Sequence, residues 1–199
     1  MIKTPAIEGK ETADVFLIRH GFSEFNYRDL VLRKGGGDIT QQLKDLKKNP
    51  DLCDVNLHAI GVHQCLENAS HIADINLTRV LVSPMRRALQ TTIHMFATHP
   101  NLAKIKFIVV PQAHEIMHTS NDIPIDYNEI IREYAPGAAI CKGVNFDFSW
   151  LLHYGEPQLW SVLSLHNVEK QAFVLSQLKN NFTYKDLQDA WIASLVAFE

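Results

Sequence analysis

Cysteine is scarce in this chain of 199 residues: there are three, Cys53, Cys65 and Cys141. An odd number without any C-x-x-C pair argues against a disulfide framework or a zinc ribbon. A reducing compartment, cytoplasmic with the nucleus as the alternative, fits such usage. Long apolar runs are lacking too, so no membrane span is expected. The opening MIKTPAIEGKETAD lacks the apolar core of a signal peptide. Neither sign of charge dominates: the net is −3. That leaves no global reason for nucleic-acid or membrane binding, and any site for an anion must be built locally. The glycine triplet Gly35–Gly37 is not followed by Gly-Lys-Ser/Thr, so it reads as loop and not as a phosphate-cradling P-loop.

What remains is an ordinary globular composition, 46% hydrophobic and 21% charged, at a length that supports one domain over residues 1–199. Residues 1–13 read as a loose leader. Val15–Ile18 (VFLI) is a short apolar run ending at Arg19-His20-Gly21, as a buried strand feeding a loop would. From Gly61, Val62, Cys65, Leu66, Ala69, Ile72 and Ala73 share a helical face. RVLVSP at 79–84 reads as a strand. The helix after it buries Met85, Ala88, Leu89, Thr92, Ile93 and Phe96. KFIVVP at 106–111 is a third strand. This alternation predicts an α/β fold of three layers, α/β/α, around a mostly parallel sheet. Residues 112–165 read as an irregular, aromatic-rich insertion containing one helix, DYNEIIREYAP. VEKQAFVLSQLKNN and TYKDLQDAWIASLVAFE read as two further helices. The second opens on a capping-box-like Thr183-x-x-Asp186 and buries Leu187, Ala190, Trp191, Leu195 and Phe198.

In an open parallel sheet, ligands bind beyond the carboxyl ends of the strands. Strand one ends in Arg19-His20-Gly21, strand two leads into Arg86-Arg87, and strand three ends just before Glu115. Paired neighbours would bring a histidine, arginines and a carboxylate to one rim. A neutral imidazole is a nucleophile near pH 7. Guanidiniums match phosphoryl oxygens, and a carboxylic acid can protonate a leaving oxygen.

Three segments carry a resemblance. LIRHGFSEFN is similar to the R-H-G-x-[ST]-x-x-N motif of the histidine phosphatase superfamily, the phosphoglycerate-mutase-like proteins. SPMRRALQTT resembles the same family's S-P-x-x-R-A-x-Q-T. In VNLHAIGVHQC, Leu57, Gly61 and Gln64 match its intervening segment, with His58 where threonine is usual. The resemblance implies His20 as a nucleophile that becomes phosphohistidine. It implies Arg19, Arg87 and Asn26 as phosphate contacts and Glu115 as the general acid, with neither metal nor other cofactor. Arg86 falls off the motif and reads as a surface residue. The implied partner is a small-molecule or peptide phosphomonoester, with no nucleic acid and no membrane. The residues after RHG and after Glu115 favour a phosphomonoesterase over a mutase.

Two features pull elsewhere. HEIMH at 114–118 has the H-E-x-x-H form of zinc peptidases, where His114 and His118 would grip Zn²⁺ from one helix. Pro111 before it and TSNDIP after it argue against that helix. The family also carries a second catalytic histidine on a strand late in the chain. No histidine follows His166, and a helix is expected where that strand would lie. His166, in WSVLSLHN, is a candidate replacement and His153 a weaker one. The alternative reading is therefore a pseudophosphatase that binds phosphorylated ligands without efficient turnover.

Overall fold

A computed structural model describes residues 2–3, 15–153, 168–180 and 182–198. Its sheet of three parallel strands has the order β3-β4-β5: β3 is Arg79–Val82, β4 Lys106–Val109 and β5 Phe146–Asp147. In register, Val80 faces Phe107 and Val82 faces Val109, while Phe107 pairs with Phe146. These residues lie on one face of the sheet, because side chains alternate along a strand. Helix α5 (Arg86–Phe96) connects β3 to β4 and presses Leu89, Ile93 and Phe96 into the main core. The Phe96 and Phe107 rings meet edge to face with centroids 5.4 Å apart. From helix α6 (Tyr127–Glu133) and its C-cap, Tyr127, Ile130 and Tyr134 fill the same core. On the opposite face Leu81 of β3 remains exposed.

The α/β class and the parallel sheet are as expected, and so is the buried face of α5. Met85, Leu89, Thr92, Ile93 and Phe96 are all buried there. The first strand is not as expected. Its paired residues, β2 (Phe16–Leu17), bond antiparallel to β1 (Ile2–Lys3) in a separate two-stranded sheet. Ile2 and Lys3 are thus strand residues and not loose leader. Val15, Leu17 and Ile18 are exposed. An apolar run is buried as a strand only where a sheet receives it, and this one pairs with a two-residue neighbour. The insertion is also more regular than its sequence suggests: Phe146–Asp147 extends the main sheet, and Phe146 and Phe148 belong to the core.

What holds the Arg19-His20-Gly21 loop in place is a set of contacts across two helices. Helix α1 (Glu24–Gly35) follows the loop, capped by Ser23, and helix α2 is Thr40–Lys48. Helix α3 (Ala59–Asn68) has His58 as its N-cap and continues after a break into α4 (Ser70–Ala73). The loop crosses the start of α3 so closely that a Cβ on Gly61 would stand 2.1 Å from the Phe22 carbonyl oxygen. His58 N–H donates to that oxygen (2.9 Å), and Phe22 N–H donates to Gln64 Oε1 (3.0 Å). Gly21 N–H donates to Thr91 Oγ1 on α5 (3.0 Å), and Gln90 Oε1 of the same helix accepts from Leu57 N–H (2.8 Å). The matched glycine and glutamines are therefore loop anchors.

A second apolar cluster joins the C-terminal helices to the rest. Helix α7 is Ser149–His153, α8 is Val168–Gln177 and α9 is Tyr184–Ala197. Val174, Leu187, Ala190 and Trp191 pack around Ile123, which follows a one-turn 3-10 segment at Ser120–Asp122. Thr183 caps α9 with Asp186 in the reciprocal pattern expected. Phe198 is partly exposed instead of completing the buried face.

Because a methyl group on Gly61 would collide with backbone and not with a mobile side chain, Gly61→Ala should destabilise the fold by about 3 kcal/mol. Chemical denaturation of the two chains measures this; equal stability would mean that the α3–loop approach is loose.

Candidate functional site

His20 is half-buried, and its Nδ1 lies 2.8 Å from the Gly21 carbonyl oxygen. A carbonyl only accepts, so Nδ1 carries the proton and the neutral ring keeps its lone pair on Nε2. Burial is the main cause that lowers the His20 pKa, and the charges of Arg87 and Arg19 lower it further; the Gly21 hydrogen bond and Glu115 act the other way. The imidazole is therefore neutral near pH 7. The charges of Arg19, Arg87 and Glu115 thus reach His20, although strand one joins a different sheet.

The four other expected residues differ in how they are held. Arg19 is exposed. Arg87 is only 2% exposed. Its Nη1 donates to the Asn121 carbonyl oxygen (2.7 Å), and its Nη2 pairs with Asp122 Oδ1 (3.2 Å). Asn26 closes the capping box of α1: its Oδ1 accepts from Ser23 N–H (3.1 Å) and Ser23 Oγ (3.0 Å). Only the amide NH₂ of Asn26 is left to face an anion. Glu115 is exposed, and its Oε1 accepts from the following Ile116 N–H (3.1 Å).

Arg86 is half-buried, not a free surface residue: its Nη2 lies 2.6 Å from Glu133 Oε2. HEIMH is not helical. His114 has extended backbone, and a 3-10 turn at Pro111–Ala113 precedes it, so the two histidines do not stand one helical turn apart. Among the described residues no group of three or more His, Cys, Asp or Glu is placed to hold a metal ion. His166 lies outside the described residues, and His153 is exposed at the end of α7. The Cys53 thiol is pushed up to about 12, mainly by burial, which leaves it protonated and inert.

Sequence reasoning missed the settings of three residues here. Asp122 is one: its Oδ2 accepts from His118 N–H, Thr119 N–H and Thr119 Oγ1, while Oδ1 meets Arg87. The Thr119-x-x-Asp122 spacing was the available signal, since it is a capping box. His114 is the second; burial lowers its pKa to about 4, and Arg87 acts in the same direction. Asp54 is the third. It is fully buried, and Oδ1 accepts Arg86 N–H at the start of α5 (2.8 Å). Burial raises its pKa to about 7 against that bond and the two arginines.

Asp54 and His114 tilt stability in opposite directions. The folded pKa of Asp54 lies above the unfolded value of 3.8, so its contribution is full below pH 3.8 and falls as pH rises to about 7. The folded pKa of His114 lies below 6.5, so its contribution is full above pH 6.5 and falls as pH drops towards 4. Between pH 4 and 6.5 the two offset each other. Relative to the parent chain, Asp54→Asn should make the melting temperature rise more steeply with pH across this window, and His114→Gln should make it rise less steeply or fall. Parallel curves for all three chains would refute the assignment.

A family model described as the histidine phosphatase superfamily (branch 1) matches residues 15–134, more than half of the chain. No curated protein and no solved structure matches. Among the described residues no helix is long and apolar enough to cross a membrane.

Proposed function

Because the chain belongs to the histidine phosphatase superfamily, whose chemistry is of the phosphatase or mutase type, we propose that it is a slow, metal-independent phosphomonoesterase acting through His20. The observation that carries this reading is the tautomer of His20. With Nδ1–H held by Gly21 O, the Nε2 lone pair is the ring's reactive edge, in a field set by two arginines. In the first step Nε2 attacks phosphorus and the P–O ester bond breaks. Glu115 gives its proton to the leaving oxygen. In the second step water attacks the phosphohistidine, the Glu115 carboxylate takes a proton from it, and phosphate leaves. Arg19, Arg87 and the amide NH₂ of Asn26 face the phosphoryl oxygens. Nucleophile, clamp and acid are all side chains, so no step calls for a Lewis acid. The substrate is a phosphomonoester, free or on a peptide, and cytoplasm fits the thiols.

One observation favours the weaker reading, a binder with little turnover. The residues after α8 enter α9, so no strand in that part of the described chain presents a second histidine. A missing donor to the phosphoryl oxygens typically costs about 10² to 10³ in rate. Turnover should therefore fall far below the roughly 10 per second of a typical enzyme.

Incubation with a phosphate-labelled aryl ester should leave an acid-labile phosphoryl group on the protein, absent in His20→Ala, and turnover should survive exhaustive chelation. Circular dichroism should show the variant folded, since a half-buried loop side chain contributes little to the core. Equal labelling or turnover in a folded His20→Ala chain would remove His20 from the mechanism; activity lost to chelation and restored by zinc would return HEIMH to consideration.

A further inference from the structure

Resting on that reading, we propose that Asp122 stands in for the phosphoryl group at Arg87, so that a phosphorylated ligand must displace the Thr119–Asp122 turn to gain the buried arginine. Both terminal nitrogens of the Arg87 guanidinium already have protein acceptors on this turn, one the Asn121 carbonyl and one the Asp122 carboxylate. The ion pair is enclosed, with the two side chains 3% and 10% exposed. In such a place a carboxylate cancels the charge that an incoming dianion would use, and repels the dianion as well. Asp122 is itself positioned from the other side, where two N–H groups and the Thr119 hydroxyl hold Oδ2. Its two oxygens thus bridge the turn and the arginine.

Two further observations describe how the turn is kept shut and why it can open. Ile123, next along the chain, is buried against Leu187, Ala190 and Trp191 of α9 and Val174 of α8. The C-terminal helices therefore press the turn onto Arg87. The closed turn also carries a cost. Ser120 Oγ and Asn121 Oδ1 are buried and have no hydrogen-bond partner among the described residues. Opening returns those atoms to water, which offsets part of the loss of the ion pair. A phosphoryl group arriving at His20 offers Arg87 a stronger acceptor than the carboxylate it replaces.

The test is affinity for inorganic phosphate, and separately for orthovanadate, measured by calorimetry. In Asp122→Asn one amide oxygen can still accept from the turn, but an NH₂ then faces Arg87 and releases it. Phosphate should bind about tenfold more tightly than to the parent chain. The gain should vanish when Arg87→Ala is combined with Asp122→Asn. Ile123→Ala, which loosens the turn and leaves Asp122 in place, should tighten binding about threefold, and it decides the matter if Asp122→Asn does not fold. Unchanged or weaker binding in the folded variant, or a gain that persists without Arg87, overturns the proposal and leaves the His20 labelling experiment untouched. Binding by neither the parent nor the variants overturns both readings.

Discussion

The approach of the Arg19-His20-Gly21 loop to the first turn of α3 is the contact on which the site depends. Backbone meets backbone there, at Gly61 and Phe22, with no side chain between. The loop is then fixed on two helices by Gln64, His58 and Thr91. A loop held through its own amides cannot swing, so the His20 ring is placed by the peptide that follows it. The Nδ1–Gly21 bond and the Gly21–Thr91 bond share one residue. The tautomer of His20 and the position of α5 are thus linked through Gly21. This matters because α5 also delivers Arg87.

Charge is organised around the start of α5. Two consecutive arginines at a helix N-terminus oppose the helix dipole. Each is matched: Arg86 by Glu133, Arg87 by Asp122, and the helix's first free N–H by Asp54. Burying a guanidinium is tolerated only where acceptors are supplied, since an unpaired buried charge costs far more than a paired one contributes. Asp54 is the group most strained by this arrangement, with burial opposing its ionisation and two arginines favouring it. The proposed phosphate contact of Arg87 is thus part of a charge-balanced helix start, and the balance, not the arginine alone, decides what an anion would meet.

The sequence disclosed those parts of the molecule that local pattern determines. The helical period placed the core face of α5, and apolar runs between turn residues placed β3 and β4. Thr183 and Asp186 announced the start of α9. It was silent or misleading where a partner distant in the chain decides. VFLI is as apolar as RVLV, yet only the second lies in the main sheet, and nothing within either run tells them apart. Phe146–Asp147 is two residues long, too short for any period to show. The motif glycine and glutamines were legible as matches, but their work as loop anchors appears only once α3 and α5 stand beside the loop. At the site, that the charges of Arg19, Arg87 and Glu115 reach His20 could be expected from their positions after strands, without their roles. That Arg87 points at Asp122 could not, because a capping box looks the same whether or not an arginine sits on its far oxygen.

Asp122 and the helical C-terminal segment belong to one argument. A buried arginine needs a permanent anion or a ring of polar neighbours when no ligand is bound. Among the described residues the last two elements, α8 and α9, are helices whose apolar faces pack on Ile123. They bear on the Thr119–Asp122 turn. That turn carries the carboxylate. The same packing that gives the C-terminal helices a core to cover therefore also supplies Arg87 with its counter-charge. On the proposed reading, such a fold is at rest when Arg87 is neutralised from within, and its affinity for a phosphoryl ligand would be set by the difference between two anions competing for one guanidinium. Such a difference responds to changes far from His20, at Leu187 or Trp191, because the apolar cluster holds one of the competitors in place.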